Sequence, residues 1–410
     1  MFKRSTLALL VFIWLGWWTA LYGFQWLVTS RLDIGRPDYA VPWTKTETTK
    51  FSNKGKIYLL EPFMNRQVAW DSEYYLGIAV GGYDDPAAGK ARTADGTSHI
   101  KNYAFFPFYP YVMRVFMLPL GLLGMNAIAT ATLAGSIIAL LGTLAGMIAL
   151  YDLTRDFFDE EGVIRTVFYM LVFPTGFFLA QIYTEGLFIG LAFCALALMK
   201  RKKLIWAGIL AVFASWTRAH GAALVLPMLI AWLTMIDWKK PFRDQFSWKW
   251  AALGLTVLMP LGAFLVWHNS SLGQGWAAIQ PGYFGRGLLQ IPESIGSWIY
   301  SLNYAAGVKQ SGIYYGLEIF ALLLAFISGL VLLRKFPEVA AFSLAVVVLS
   351  FFSGAGAAQS QARYMIVAPS MYIVLAILGR NKAFDRVWTL ASILLMGMSV
   401  MLFSFDMWAG

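Results

Sequence analysis

The sequence predicts an all-α polytopic membrane protein, a bundle of about eleven transmembrane helices with interfacial helices in its first outer loop. Two observations carry this. Hydrophobic residues make up 59% of the chain and charged residues only 13%, against about 25% charged in a soluble domain that must face water. The basic residues also collect in short stretches between long uncharged runs, as expected for a chain oriented by its cytoplasmic loops.

The first element begins Phe2-Lys3-Arg4 and is apolar from about Thr6 to Val28. That is long enough to cross about 30 Å of hydrocarbon. Trp17 and Trp18 occupy the place of small cleavage-site residues, so the run reads as a retained helix and not a removed signal. Residues 29–125 then form a polar first outer loop. Within it Ala104–Gly124 is apolar, but it is broken by Pro107, Pro110 and Pro119 and carries Arg114, so it reads as interfacial.

Ten further runs follow: Asn126–Tyr151, Thr166–Tyr183, Glu185–Lys200, Leu204–Thr217, Gly221–Ile236, Trp250–His268, Gly312–Leu333, Val339–Gly354, Met365–Gly379 and Val387–Phe405. The two flanking Arg218 are short, and they predict a hairpin of short or tilted helices. With the N-terminus inside, the clusters at Lys3/Arg4, Arg155/Arg165, Lys200–Lys203, Lys239–Lys249, Arg334/Lys335 and Arg380–Arg386 all fall in short cytoplasmic loops. The chain is one domain, 1–410. The same placement explains the net charge of +10 without nucleic acid, since the Lys and Arg form no aromatic-interleaved surface. The lone Cys194 excludes an intrachain disulfide.

Candidate chemistry gathers at the outer ends of these helices. Trp70-Asp71-Ser72-Glu73-Tyr74-Tyr75 sets two acids among aromatics, about thirty residues ahead of a second aromatic block containing Tyr109. A carboxylate there can take a proton from an attacking sugar hydroxyl, with the aromatics packing a sugar ring or isoprene units. Equally, Asp71 can cap an interfacial helix within an ordinary aromatic belt. Glu185 falls between two apolar runs, where an acid is costly and often functional; alternatively it stabilises a helix N-terminus with Thr184 as cap. Arg218 and His220 lie at the hairpin tip and Arg363 in another short outer loop. Two basic residues against the orientation rule point to an anion site, while a lone Arg can also snorkel to headgroups. His99, His220 and His268 lack zinc spacing, no glycine-rich nucleotide loop is present, and Gly354-Ala355-Gly356 reads as helix packing.

Together, Trp70-Asp71, Ile78-Ala79-x-x-Gly82-Tyr83, the Phe-Phe-Pro-x-Tyr-Pro block at Phe105–Pro110, Tyr183-Thr184-Glu185-x-Leu187-Phe188 and Arg218-x-x-Gly221 resemble the GPI second-mannosyltransferase family and its prokaryotic relatives, among the GT-C membrane glycosyltransferases. The matches run in the family's order from Trp70 to Pro227, and Arg363-Tyr364 resembles a later motif. The resemblance implies a GT-C-like bundle and inverting transfer of mannose from a dolichyl- or polyprenyl-phosphate donor to a glycan or glycolipid acceptor. It implies Asp71 as base with Glu73 beside it. Glu185 would shape the site, and Arg218 and Arg363 would be candidate ligands of the donor phosphate; His220, beside Arg218, is a further candidate for binding donor or substrate. Trp70, Tyr74 and Tyr109 are the aromatic candidates for substrate contact. The donor carries one phosphate, so no metal or cofactor is expected.

Tyr74 stands where eukaryotic members often have His, and Glu73 makes the local pattern Asp-x-Glu. The chain length and missing ER-retention signal fit a prokaryotic plasma membrane, with the N-terminus cytoplasmic and the site extracytoplasmic. The competing reading is a lipid or sugar transporter or flippase. That would place ionisable residues mid-membrane, yet the last four helices carry only Glu318, near the start of one.

Overall fold

The computed structural model describes residues 4–34, 37–48, 56–93 and 96–410, apart from the side chains of Arg4, Phe242 and Asp244. Lys3 and parts of the first outer loop lie outside the described residues.

The chain is helical almost throughout. Four helices are long and apolar enough to cross a membrane: Ser5–Arg31, Ala127–Thr154, Lys309–Leu332 and Lys382–Ser404. A fifth span is possible where Trp248–Val257 meets Met259–His268 at a 41° bend. Pro260 sits at that joint, where its missing N–H and its ring weaken the helical ladder. The protein is therefore a multi-pass membrane protein. The other apolar runs form shorter helices, including Leu204–Thr217, Pro337–Phe351 and Pro369–Leu378. At about 1.5 Å per residue these fall short of the hydrocarbon thickness.

One expected span is not a single helix. The run Thr166–Tyr183 leaves its helix at Leu171 and continues through a 3-10 segment at Gly176–Ala180. Pro174 explains the break, since the residue before a proline avoids the helical region. The segment stays wholly buried. Helix Ile291–Gly307 was not anticipated, because its apolar residues alternate with polar ones.

The first helix is bound into the bundle. Trp14 Nε1 donates to the Leu140 carbonyl at 3.0 Å and the Tyr22 hydroxyl to that of Ala180 at 2.8 Å. Helices Ala127–Thr154 and Glu185–Lys200 cross on glycines. A Cβ on Gly186 would lie 2.3 Å from the Ala139 carbonyl oxygen, and one on Gly142 2.5 Å from that of Gly186. Only glycine permits this approach, and it fixes where Glu185 begins its helix.

The described part of residues 29–125 folds into short helices, two of which pack together. Ser72–Val80 is almost fully buried. Phe108–Leu120 is two-faced, with Tyr109 and Met113 inside and Leu118 78% exposed. Arg114 Nε on the second donates to the Ala79 carbonyl near the end of the first, at 2.9 Å. A small antiparallel pair, Lys90–Arg92 with Ser98–Ile100, is an unforeseen departure from the all-α pattern.

Candidate active site

Trp70 adopts a left-handed backbone (φ 52°) just before helix Ser72–Val80. Asp71 occupies the N-cap position, but its side chain makes no capping bond. It turns instead to Arg363, whose Nη1 lies 2.8 Å from Asp71 Oδ2. The cap alternative therefore does not hold. The backbone here is held by Tyr183, whose hydroxyl donates to the Ala69 carbonyl at 3.1 Å and accepts the Asp71 N–H at 3.3 Å.

Glu185 opens helix Glu185–Lys200 and is only 1% exposed. Arg218 Nη1 pairs with its Oε1 at 2.5 Å, and Arg363 Nε lies 3.6 Å from the same oxygen. Thr184 makes no cap bond; its hydroxyl accepts from Arg218 Nη1 at 3.1 Å. Arg218 is buried at the break between Leu204–Thr217 and the 3-10 turn Ala219–Leu224, and so does not snorkel. Two carboxylates and two guanidiniums from four distant segments thus form one buried ionic chain.

Glu318 has a separate task. Its two oxygens accept the backbone N–H groups of Ser360 (3.1 Å) and Ala362 (2.6 Å), at the start of the short helix Gln361–Met365. An acid at a helix N-terminus offsets the unpaired N–H groups there. Glu318 therefore fixes the start of the short helix that carries Arg363.

The ionic chain lines a cavity of about 630 Å³. Trp70, Glu73, Tyr74 and His220 line it too. Tyr74 stacks on Phe105 with centroids 4.6 Å apart. Trp70 meets Trp43 and Trp408 edge-on at 5.7 and 5.1 Å. Burial pushes the Glu73 carboxyl above its ordinary range, although Lys56 and Lys101 pull the other way. The His220 ring shares a 2.8 Å hydrogen bond with the Ser350 hydroxyl. Tyr109 does not reach the cavity. It is fully buried and its hydroxyl donates to the Gly135 carbonyl at 2.9 Å, because its side of helix Phe108–Leu120 packs on Ala127–Thr154. Among the described residues no three His, Cys, Asp or Glu side chains are grouped as metal ligands.

Sequence reasoning missed Arg286. It sits between Gly285 and Gly287 on the cavity wall, its guanidinium 5.1 Å from the Tyr364 ring that Arg218 and Arg363 also flank at 5.3 Å. Burial alone would raise the Tyr364 phenol, but Arg286, Arg363 and Arg218 outweigh it and bring it below its usual value. The signal was present: like Arg218 and Arg363, Arg286 is a basic residue in a stretch that the sequence reading expects outside. Gly354-Ala355-Gly356 also proves not to be helix packing. Gly354 has φ 103°, and the Gly356 N–H donates to the Gly285 carbonyl at 2.7 Å, so this loop props the Arg286 loop.

Apolar helices closing around a charged cavity define the class, a polytopic membrane protein with a polar site at its helix ends. The family model described as mannosyltransferase (PIG-V) matches residues 50–236, the stretch carrying the motif series, and supports a glycosyltransferase. Curated protein sequences give no match. Among solved structures the chain is similar to ArnT from Cupriavidus metallidurans bound to undecaprenyl phosphate, at 15% identity over 87% of this chain and 75% of that one (TM-score 0.46). It is also similar to the oligosaccharyltransferase AglB from Archaeoglobus fulgidus in complex with an inhibitory peptide and a dolichol-phosphate, at 13% identity over 95% of this chain and 55% of that one (TM-score 0.40).

Proposed function

We propose that the protein transfers mannose, with inversion, from a polyprenyl-phosphate carrier to a glycan or glycolipid acceptor at the extracytoplasmic face of its membrane. The observation that carries this reading is the convergence of Asp71, Glu185, Arg218 and Arg363 on one cavity within a chain whose residues 50–236 match a mannosyltransferase family. Arg363 holds Asp71 Oδ2, which directs the carboxylate and leaves Oδ1 for the acceptor hydroxyl. As that hydroxyl attacks the anomeric carbon, Asp71 takes its proton and the bond to the phosphate oxygen breaks on the opposite face. A single displacement of this kind inverts the carbon. Charge then develops on the departing phosphate, where nearby guanidiniums stabilise it. Trp70 and Tyr74 supply apolar faces for the sugars, and no protein-bound cofactor takes part.

The test is transfer of radiolabel from polyprenyl-phosphate mannose to a membrane-lipid and glycan extract, in purified protein reconstituted in lipid. Removing a general base costs about 10²- to 10⁴-fold, so Asp71→Asn with an unchanged melting profile is expected to lose transfer on that scale. Full transfer by the variant would remove Asp71 from the role. No transfer by wild type from any lipid-phosphate sugar would turn the reading toward the transporter.

A further inference from the structure

Three guanidiniums face the cavity around Tyr364, and they are not equivalent. Arg218 is paired with Glu185, and Arg363 with Asp71 and, at longer range, Glu185. Arg286 forms no ion pair with a carboxylate among the described residues. Its Nη1 donates to the Ser353 hydroxyl and its Nη2 to the Gln359 carbonyl, both at 2.9 Å. These neutral partners orient the group without cancelling its charge. Each Nη has a second hydrogen left over, and Nε makes no bond, so the fork is only partly used.

The surroundings are built to admit this group. The Arg286 loop is tied to the Ser353–Gly356 loop by two backbone bonds of 2.7 Å, from Gly287 N–H to the Ser353 carbonyl and from Gly356 N–H to that of Gly285. A Cβ on Gly356 would stand 3.2 Å from Arg286 Nε and 2.9 Å from the Phe284 carbonyl oxygen, so the guanidinium occupies space a larger residue would take. Of the three guanidiniums around Tyr364, Arg286 is the one whose hydrogen-bond partners are neutral and which has no carboxylate ion-pair partner among the described residues.

On the reading of the cavity as a lipid-phosphate sugar site, we infer that Arg286 is the principal ligand of the donor phosphate, with Arg218 and Arg363 serving chiefly to hold the acids and to add field. A phosphodiester between a polyprenol and a sugar carries one negative charge, which a guanidinium without a carboxylate ion-pair partner can take. A planar fork also suits two phosphate oxygens better than an ammonium does. The phosphate then lies beside Tyr364, within reach of the developing charge when the sugar–phosphate bond breaks.

The experiment measures donor KM, acceptor KM and kcat for wild type, Arg286→Gln and Arg286→Lys in lipid. In parallel it measures binding of sugar-free polyprenyl phosphate to the same proteins. Expected are a donor KM raised about 10- to 100-fold in Arg286→Gln and about 3- to 10-fold in Arg286→Lys, an unchanged acceptor KM, and the same order of weakening for polyprenyl phosphate. Should Arg286→Gln not fold, Arg286→Lys carries the comparison. Unchanged donor KM and polyprenyl phosphate binding, or loss confined to kcat, would overturn the assignment and make Arg286 a loop anchor. Wild type that binds polyprenyl phosphate through Arg286 but transfers no sugar would leave the phosphate ligand standing and sink the transferase reading instead.

Discussion

Helix Glu185–Lys200 carries an ionic cluster at each end, and the two differ in kind. At its start Glu185 is 1% exposed and joins Arg218, Arg363 and Asp71 around a cavity. At its other end Lys200 pairs with Asp156 at 2.6 Å, with side chains 34% and 67% exposed, while Arg201, 44% exposed, pairs at 2.6 Å with the buried Asp152, so only the Lys200–Asp156 pair is solvent-facing on both sides. Ion-pair distance is much the same at both ends, so distance alone identifies no site. What separates them is desolvation. In water an ion pair contributes about 0–1 kcal/mol. Inside the protein each charge depends on its partner, so breaking one pair strands the other charge. Burying Glu185, Arg218 and Arg363 with half-buried Asp71 beside a cavity is costly for stability, and such costly charge clusters are candidates for binding or charge-developing chemistry.

Breaking the first cluster should have the largest effect. Glu185→Gln leaves Arg218 with only the Thr184 hydroxyl and removes the second acid near Arg363. A loss of about 3–5 kcal/mol is expected, read as a lower melting temperature in lipid, together with loss of transfer. A stable, active variant would show that burial does not distinguish the two ends.

Glu73 sharpens the comparison, since it is a cavity acid without an arginine partner among the described residues. Burial raises its carboxyl in the fold against opposing pulls from Lys56 and Lys101. Between its unfolded and folded values the folded state holds more protons than the unfolded one. Stability is then full below the unfolded value and falls as pH rises through the folded one. Glu73→Gln should therefore raise the melting temperature at pH 8 and leave it unchanged near pH 4. An equal shift at both would assign the effect to packing.

The smallest effect belongs to the far end of the helix. Asp156→Ala should change stability by about 0.5 kcal/mol or less and leave transfer intact. A large loss in either would mean that the solvent-facing pair also has a structural or functional duty.

Much of the fold could be read in advance. The first helix and the apolar, helical character of the runs rest on local hydropathy. The site was legible wherever a residue broke a local rule. Arg218 and Arg363 stood out as basic residues in loops expected to be outer, and Asp71 and Glu185 as acids among apolar neighbours. Arg286 broke the same rule but sat in a stretch without a motif. Tyr109 misled for the opposite reason: its aromatic block looks like a binding surface, but the face it occupies is spent on packing against the next helix.

Composition, the apolar runs and the identity of the candidate charges are properties of the sequence by itself, because hydropathy acts over one turn or one span at a time. Which charges pair was decided only in the tertiary structure. Asp71 and Arg363 are 292 residues apart and meet because a left-handed residue at Trp70 and a helix start capped by Glu318 point both side chains into one cavity. The neutral partners of Arg286 were settled the same way, by glycine loops that pack from separate parts of the chain. Partner choice depends on ångström distances between helices, and those arise only when the bundle closes.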